Sequence, residues 1–199
     1  MSRGRCSRAP EGAAAAMAER NRAMLPVLET ERLVLRAPVA ADFDAFAAFW
    51  MSERARWHGG PFTAGRCWRN LGTQIGHWVM RGYGGFVMVG RGSGRAVGFV
   101  GPWHPGEWPE AEIAWSVFDP ADEGRGFAAE GARRVLDHVF RDLGWPTAVS
   151  YIDPANARSR ALAEALGAKP DAAAIHPPKD GDDAPCIVYR HPHPAEVAA

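Results

Sequence analysis

The stretch from Ala111 to Leu143, AEIAWSVFDPADEGRGFAAEGARRVLDHVFRDL, restricts the fold more than any other part of the 199-residue chain. Ile113, Ala114, Trp115, Val117 and Phe118 supply the apolar surface and β-formers of a short strand. Asp119-Pro120 ends it, because proline fixes its own φ and turns the preceding residue away from helix. Gly124 and Gly126 bracket Arg125 where a new periodicity begins. From Ala128 onward, Ala132, Val135, Leu136, Val139, Phe140 and Leu143 fall on one helical face, and charged residues take the other. Gly144 is placed as a left-handed cap. The glycine turn therefore sits at a helix N-terminus, where unpaired N–H groups and the helix dipole favour an anion. The main chain of Glu123, Gly124, Arg125, Gly126, Phe127 and Ala128 is a candidate phosphate cradle.

Two common phosphate motifs are excluded. The third glycine of G-x-G-x-x-G is replaced by Ala129, and G-K-[ST] fails because Gly126 follows Arg125. Composition narrows the class further. With 23 basic and 23 acidic residues the formal net charge is zero, so nothing drives the chain toward nucleic acid or an anionic membrane. No apolar run approaches a membrane span. Cys6, Cys67 and Cys186 are an odd number without C-x-x-C spacing, as expected of reduced thiols in a cytoplasmic protein. Eight tryptophans are many for this length; most are expected in the core, with a few lining an aromatic pocket.

Residues 1–23 are small, polar and basic and are expected to be a disordered extension, or translation begun upstream of the natural start. Residues 24–199 are expected to form one domain. Glu31–Arg36 alternates as a first strand. Asp42 is expected to cap a helix with the stripe Phe43, Phe46, Phe49 and Trp50, and Thr63 a second carrying Cys67, Leu71, Ile75 and Trp78. Between them Trp57 and His58 lie in a glycine-rich loop, either exposed or touching substrate. Gly85–Val89 and Ala96–Val100 read as a hairpin, and Pro102–Pro109 as a rigid aromatic loop in which His104 either faces an acceptor or packs on tryptophan. Thr147–Ile152 is a strand, Asn156–Leu166 a short helix, His176–Pro185 an exposed loop and Cys186–Tyr189 a last strand. His191 and His193 fall in a proline-rich tail without a ligand set, so no metal is expected.

Two motifs together resemble the GCN5-related N-acetyltransferase (GNAT) superfamily over most of the chain. Glu123, Gly126 and Ala128 lie on its [QR]-x-x-G-x-[GA] pattern, with glutamate in place of Gln or Arg. The run D-x-x-x-x-G-R-G-F-A-A-E from Asp119 is similar to the RimJ/RimL branch, which acetylates protein N-termini. Thirty residues beyond Gly126, Asn156-Ala-Arg-Ser159 through Glu164, Leu166 and Gly167 resembles the family's N-x-x-S-x-x-x-x-E-x-L-G helix. The resemblance implies an α/β fold with a mixed central sheet of about six to seven strands and about four helices.

It also implies acetyl-CoA as co-substrate and transfer of its acetyl group to a primary amine by direct attack in a ternary complex. The pyrophosphate would lie on the loop from Glu123 to Ala128, and the pantetheine beside the strand near Val117 and Phe118. Asn156 and Ser159 would approach the pantetheine arm and the sulfur. Glu112 is the candidate general base, eleven residues before Glu123 as in the histone-acetylating branch; Glu110 is its weaker substitute. Many relatives carry a tyrosine as general acid at the position of Ala163, so Ser159 is the candidate donor to the leaving thiolate. The acceptor is expected to be a protein N-terminus or a small amine, and a homodimer is left open. Alternatives are a non-catalytic CoA-binding protein of the same fold and a mononucleotide-binding α/β protein.

Overall fold

Short runs of β-branched and aromatic residues pair edge to edge into one eight-stranded sheet, and the helices between them cover its faces. The computed structural model describes residues 9–178 and 186–197. After helix α1 (Gly12–Ala23) come strands β1 (Leu28–Glu29) and β2 (Leu33–Arg36), then helices α2 (Phe43–Trp50) and α3 (Ala64–Arg81). The antiparallel meander β3 (Phe86–Gly90), β4 (Ala96–Trp103) and β5 (Glu112–Val117) leads into α4 (Phe127–Asp137), which continues through a π-helical turn to Asp142. Next are β6 (Val149–Ile152), α5 (Ala157–Ala165), β7 (Lys169–Pro170), β8 (Ile187–Arg190) and α6 (Pro194–Val197). The sheet order is β1-β2-β3-β4-β5-β6-β8-β7. Every neighbour is antiparallel except β5 and β6.

The expected mixed α/β architecture is present, with more strands and helices than the sequence indicates. The additions are β1 and β7, each two residues long and too short to show a periodicity, together with α1 and α6. Over Gly12–Ala23 the expectation of disorder is replaced by a helix. It buries no residue, and the four consecutive alanines give it strong intrinsic helix propensity. Residues 1–8 lie outside the described part, as do 179–185 of the expected exposed loop. No helix of the described residues is long and apolar enough to cross a membrane.

The two faces of the sheet carry separate cores. On one, Gly131 of α4 lies over Met88 and Val100, close enough that an added Cβ would sit 2.8 Å from the Met88 sulfur. Ala132, Val135, Leu136, Val139 and Phe140 extend this contact, as the helical periodicity predicts. On the other, Phe46 of α2 meets Phe99 of β4 and Phe118 edge to face at 6.3 and 6.0 Å. Thr63 caps α3 as expected, accepting the Arg66 N–H at 3.3 Å. Asp42 does not cap α2. Its buried carboxylate takes both Arg36 guanidinium nitrogens at 2.7 and 2.8 Å and the Val39 N–H, because a buried charge needs a full set of donors.

Strands β4 and β5, the pair that carries the site, leave no room for a side chain at Gly98. A Cβ there would lie 2.3 Å from the Ser116 carbonyl oxygen and 2.4 Å from the Met88 methyl. Gly98→Ala is expected to lower stability by about 2–3 kcal/mol. Urea unfolding followed by circular dichroism measures it.

Candidate active site

The site is built where β5 and β6 part. The two strands share a single register position, Glu112 with Val149. Just beyond it the Ser150 hydroxyl donates to the Ile113 carbonyl at 2.6 Å, and it accepts from the Nε2–H of His191 at 3.0 Å. His191, expected in a tail, is 3 % exposed, and burial lowers its pKa to about 4, so the imidazole is neutral. Past this lock no strand pairs with the free side of β5. Because main-chain direction alternates along a strand, Trp115 and Val117 turn the same way as Ile113, toward the gap.

A cavity of about 880 Å³ fills the gap and runs under the tryptophan-rich loop. Glu112, Ser116, Asn156 and Ser159 all line it, which brings together three of the residues singled out in the sequence. Asn156 is also the cap of α5, its side-chain oxygen accepting the Ser159 N–H at 3.2 Å. Glu164 of the same motif turns outward and accepts from the Tyr189 hydroxyl at 2.9 Å, tying α5 to β8.

Glu112 is 9 % exposed. Desolvation pushes its carboxyl up to about 7 against the partial pull of the Tyr151 main chain and the nearby Trp108 indole, which stops short of a hydrogen bond. Glu110 does not share this setting: Arg190 takes both of its oxygens at 2.7 and 2.9 Å, and that ion pair removes it as a substitute base. Tyr151 also lines the cavity, and its hydroxyl has no partner among the described residues. Burial, then the charge of Glu110, pushes that phenol up to about 12, so it keeps its proton.

The phosphate-cradle loop lies apart from the cavity, at the other end of β5. Gly126 caps α4 with φ 81°, a conformation that favours glycine. The first helical bond runs from the Glu130 N–H to the Gly126 carbonyl at 3.0 Å. The N–H groups of Gly124, Arg125, Gly126, Phe127, Ala128 and Ala129 have no acceptor among the described residues. Their arrangement suits an anion by the geometry of a helix N-terminus. The Phe127 side chain is not part of that surface: it is buried between the Arg32 and Arg125 guanidiniums, 5.0 and 4.8 Å from its ring centre. Arg125 also pairs with the buried Asp122 at 2.8 Å.

Glu123 departs from the family pattern, and its setting accounts for the change. Burial alone would raise its pKa, but hydrogen bonds and charge from Arg54 and Arg158 outweigh it and hold the carboxyl below its usual range. Arg54 reaches further, donating to the Val117 carbonyl at 2.7 Å and the Phe118 carbonyl at 2.6 Å. The Phe118 N–H is taken by the Val97 carbonyl at 3.0 Å, and its side chain is buried. Phe118 thus has no main-chain donor free for a ligand strand. Trp115, which was not singled out, shares the open edge with Val117.

The aromatic loop is braced from behind. His104, left open in the sequence, bonds the Tyr83 hydroxyl at 3.3 Å and the Trp108 carbonyl at 3.1 Å, and its N–H donates to His77 Nε2 at 3.0 Å. It holds the loop and does not line the cavity. His58 does line it, packed on Phe49 and Trp50, and burial lowers its pKa to about 4. Arg54, Gln74 and Tyr151 carry no motif or local signal that marks them in the sequence. Arg66, Arg69, Asn70, Thr73 and Gln74 also line the cavity, and their spacing along α3 puts them on one helical face.

Known proteins agree with this architecture. The family model described as an acetyltransferase (GNAT) domain matches residues 32–169. No curated protein sequence matches the chain. An acetyltransferase from Agrobacterium tumefaciens is 35 % identical with a TM-score of 0.77, over 84 % of this chain and 94 % of that one. A protein described as a GnaT-family acetyltransferase from Bordetella pertussis is 29 % identical, with a TM-score of 0.69 over 84 % and 99 %. A ribosomal-protein-S5-alanine acetyltransferase from Vibrio fischeri shares the fold, at 19 % identity and a TM-score of 0.64 over 85 % and 97 %. With its sheet parted at β5 and β6 and its free N–H groups at the start of α4, the chain belongs to the GNAT acetyltransferase family.

Proposed function

We propose that the protein is an acetyl-CoA-dependent N-acetyltransferase acting on a primary amine by direct attack in a ternary complex. The observation that carries this reading is the placement of a desolvated carboxyl, Glu112, at one end of an unpaired strand edge whose other end leads to six free N–H groups. Acetyl-CoA would supply an acetyl group activated as a thioester. The loop from Glu123 to Ala128 would hold its pyrophosphate through main-chain N–H groups, and Trp115 and Val117 would receive the amides of its arm, like an added strand. Asn156 and Ser159, at the start of α5, also line the cavity and would approach the arm and the sulfur.

Glu112 then accepts the proton of the attacking amine, directly or through water. A carboxyl pushed up to about 7 suits that role, since proton transfer is most effective when the pKa lies near the working pH. Ser159 is the hydroxyl donor for the leaving thiolate, in place of the tyrosine that Ala163 replaces. The run from Asp119 to Glu130 favours the RimJ/RimL branch in the co-substrate half of the site, and leaves the acceptor to be read from the cavity.

Saturating acetyl-CoA is expected to raise the melting temperature by several degrees, and ATP to leave it unchanged. Differential scanning fluorimetry checks this, and a shift with ATP alone would contradict the reading. Turnover is expected to rise with pH through about 7 as Glu112 loses its proton, and Glu112→Gln to lower kcat about a hundredfold. A protein that binds acetyl-CoA without catalysis would show neither effect.

The same substitution acts oppositely on stability. The folded chain keeps the Glu112 proton up to about 7 while the unfolded chain releases it near 4.5. Stability is therefore lost as pH rises across that window and is not regained above it. Glu112→Gln is expected to be more stable than the parent at pH 8, by on the order of 3 kcal/mol, with a smaller gap at pH 5. Denaturant titrations at the two pH values measure the difference.

A further inference from the structure

We infer that the acceptor is a small zwitterion: an amine that carries a carboxylate on an aromatic or comparably apolar body. This rests on the N-acetyltransferase reading and specifies its acceptor. The acids and bases of the cavity come from different elements: Glu107, Glu112 and Asp153 from the loop before β5, from β5 and from the end of β6, and Arg66 and Arg69 from α3. Glu112 stands on the β5 wall, where the proposed chemistry requires the amine. Arg66 and Arg69 stand on the α3 wall, and neither forms an ion pair with any described residue. Arg66 lies over Phe62, 3.9 Å from the ring centre, and Phe62 stacks in turn on Trp50 at 4.9 Å and 12°. That stack holds one guanidinium on the cavity lining with no carboxylate partner among the described residues.

The indoles of Trp50, Trp103 and Trp108 also line the cavity and add apolar surface suited to a ring-sized body. The buried polar atoms left without partners complete the pattern. The Gln74 side-chain oxygen, in a residue 8 % exposed, has an acceptor position unused, and an amine N–H suits it. The indole N–H of Trp50, whose ring stacks on the Phe62 that carries Arg66, is an unused donor, and a carboxylate suits it. Gln74 lies five residues along α3 from Arg69, a rise of about 7.5 Å, comparable with the length of an aromatic amino acid.

A guanidinium gains most from a carboxylate, which accepts two parallel hydrogen bonds and neutralises it. A peptide N-terminus offers an amide where the free amino acid offers that carboxylate. The zwitterion therefore uses both walls, and the peptide uses one.

The experiment measures kcat/KM, from thiol release, on matched compounds that differ only in the carboxylate. The pairs are phenylalanine with phenethylamine, tryptophan with tryptamine, and 4-(aminomethyl)benzoate with benzylamine. Phenylalaninamide and peptides beginning with serine or alanine complete the panel. In at least one pair the acid is expected to exceed its uncharged partner at least tenfold, chiefly through KM, and phenylalaninamide and the peptides to trail the preferred acid. Arg66→Ala with Arg69→Ala is expected to bring that ratio close to one, and Arg69→Glu to invert it. Both residues are exposed, so the variants are expected to fold, and an unchanged acetyl-CoA melting shift verifies this.

Preference for the uncharged amines, the amide or the peptides would overturn the inference. So would a ratio indifferent to the arginines, or no acetylation of the panel by protein that still binds acetyl-CoA. Loss of acetyl-CoA binding in the parent protein would take the N-acetyltransferase reading down with it.

Discussion

The site depends on a main-chain strand edge inside the fold that is left unpaired. Elsewhere in the sheet, neighbouring strands satisfy each other's N–H and C=O groups, as buried main chain must. Between β5 and β6 that pairing stops after one position. The Ser150 hydroxyl, fixed by the neutral His191, closes the last rung at the Ile113 carbonyl. Beyond it the edge needs water or a ligand. An amide-bearing arm suits it because that arm can replace the missing strand group for group.

Arg54 modifies this picture at the far end of the edge. It joins the Glu123 carboxylate to the Val117 and Phe118 carbonyls, so one side chain from the connection between α2 and α3 stitches the strand end to the loop. Residues of α2 and α3 also line the cavity. The glutamate is thus coupled to two guanidiniums where the family pattern carries Gln or Arg. The local charge is rebuilt from Arg54 and Arg158 instead of being supplied by the motif residue itself.

Much of this was legible in the sequence, and the physical reasons for the gaps differ. The long helix α4 and its glycine caps were readable because helical periodicity and left-handed glycines are local signals. Glu112, Asn156 and Ser159 were found through motif spacing, and the fold brings them to one cavity. The loop from Glu123 to Ala128 was readable for the same reason, since its N–H groups are freed by the helix start itself. The misses are tertiary. Asp42 was taken for a cap because the local signal is identical whether its carboxylate meets an N–H or a distant arginine. His191 looked like tail because its burial comes from β6 and β8. The alanine run of α1 was read by what it cannot bury and not by what it can form. The α3 cavity face was hidden because a polar stripe on a helix normally marks solvent.

Tryptophan is unevenly spread over the fold. Five of the eight, Trp50, Trp57, Trp103, Trp108 and Trp115, line one cavity, and only Trp68, Trp78 and Trp145 lie away from it. Most of the molecule's indoles therefore lie within a ligand's reach. The cavity acts as its own optical reporter: whatever displaces water there alters the surroundings of several emitters at once. Filling of the cavity is then expected to change the intrinsic fluorescence, without a label or a coupled reaction.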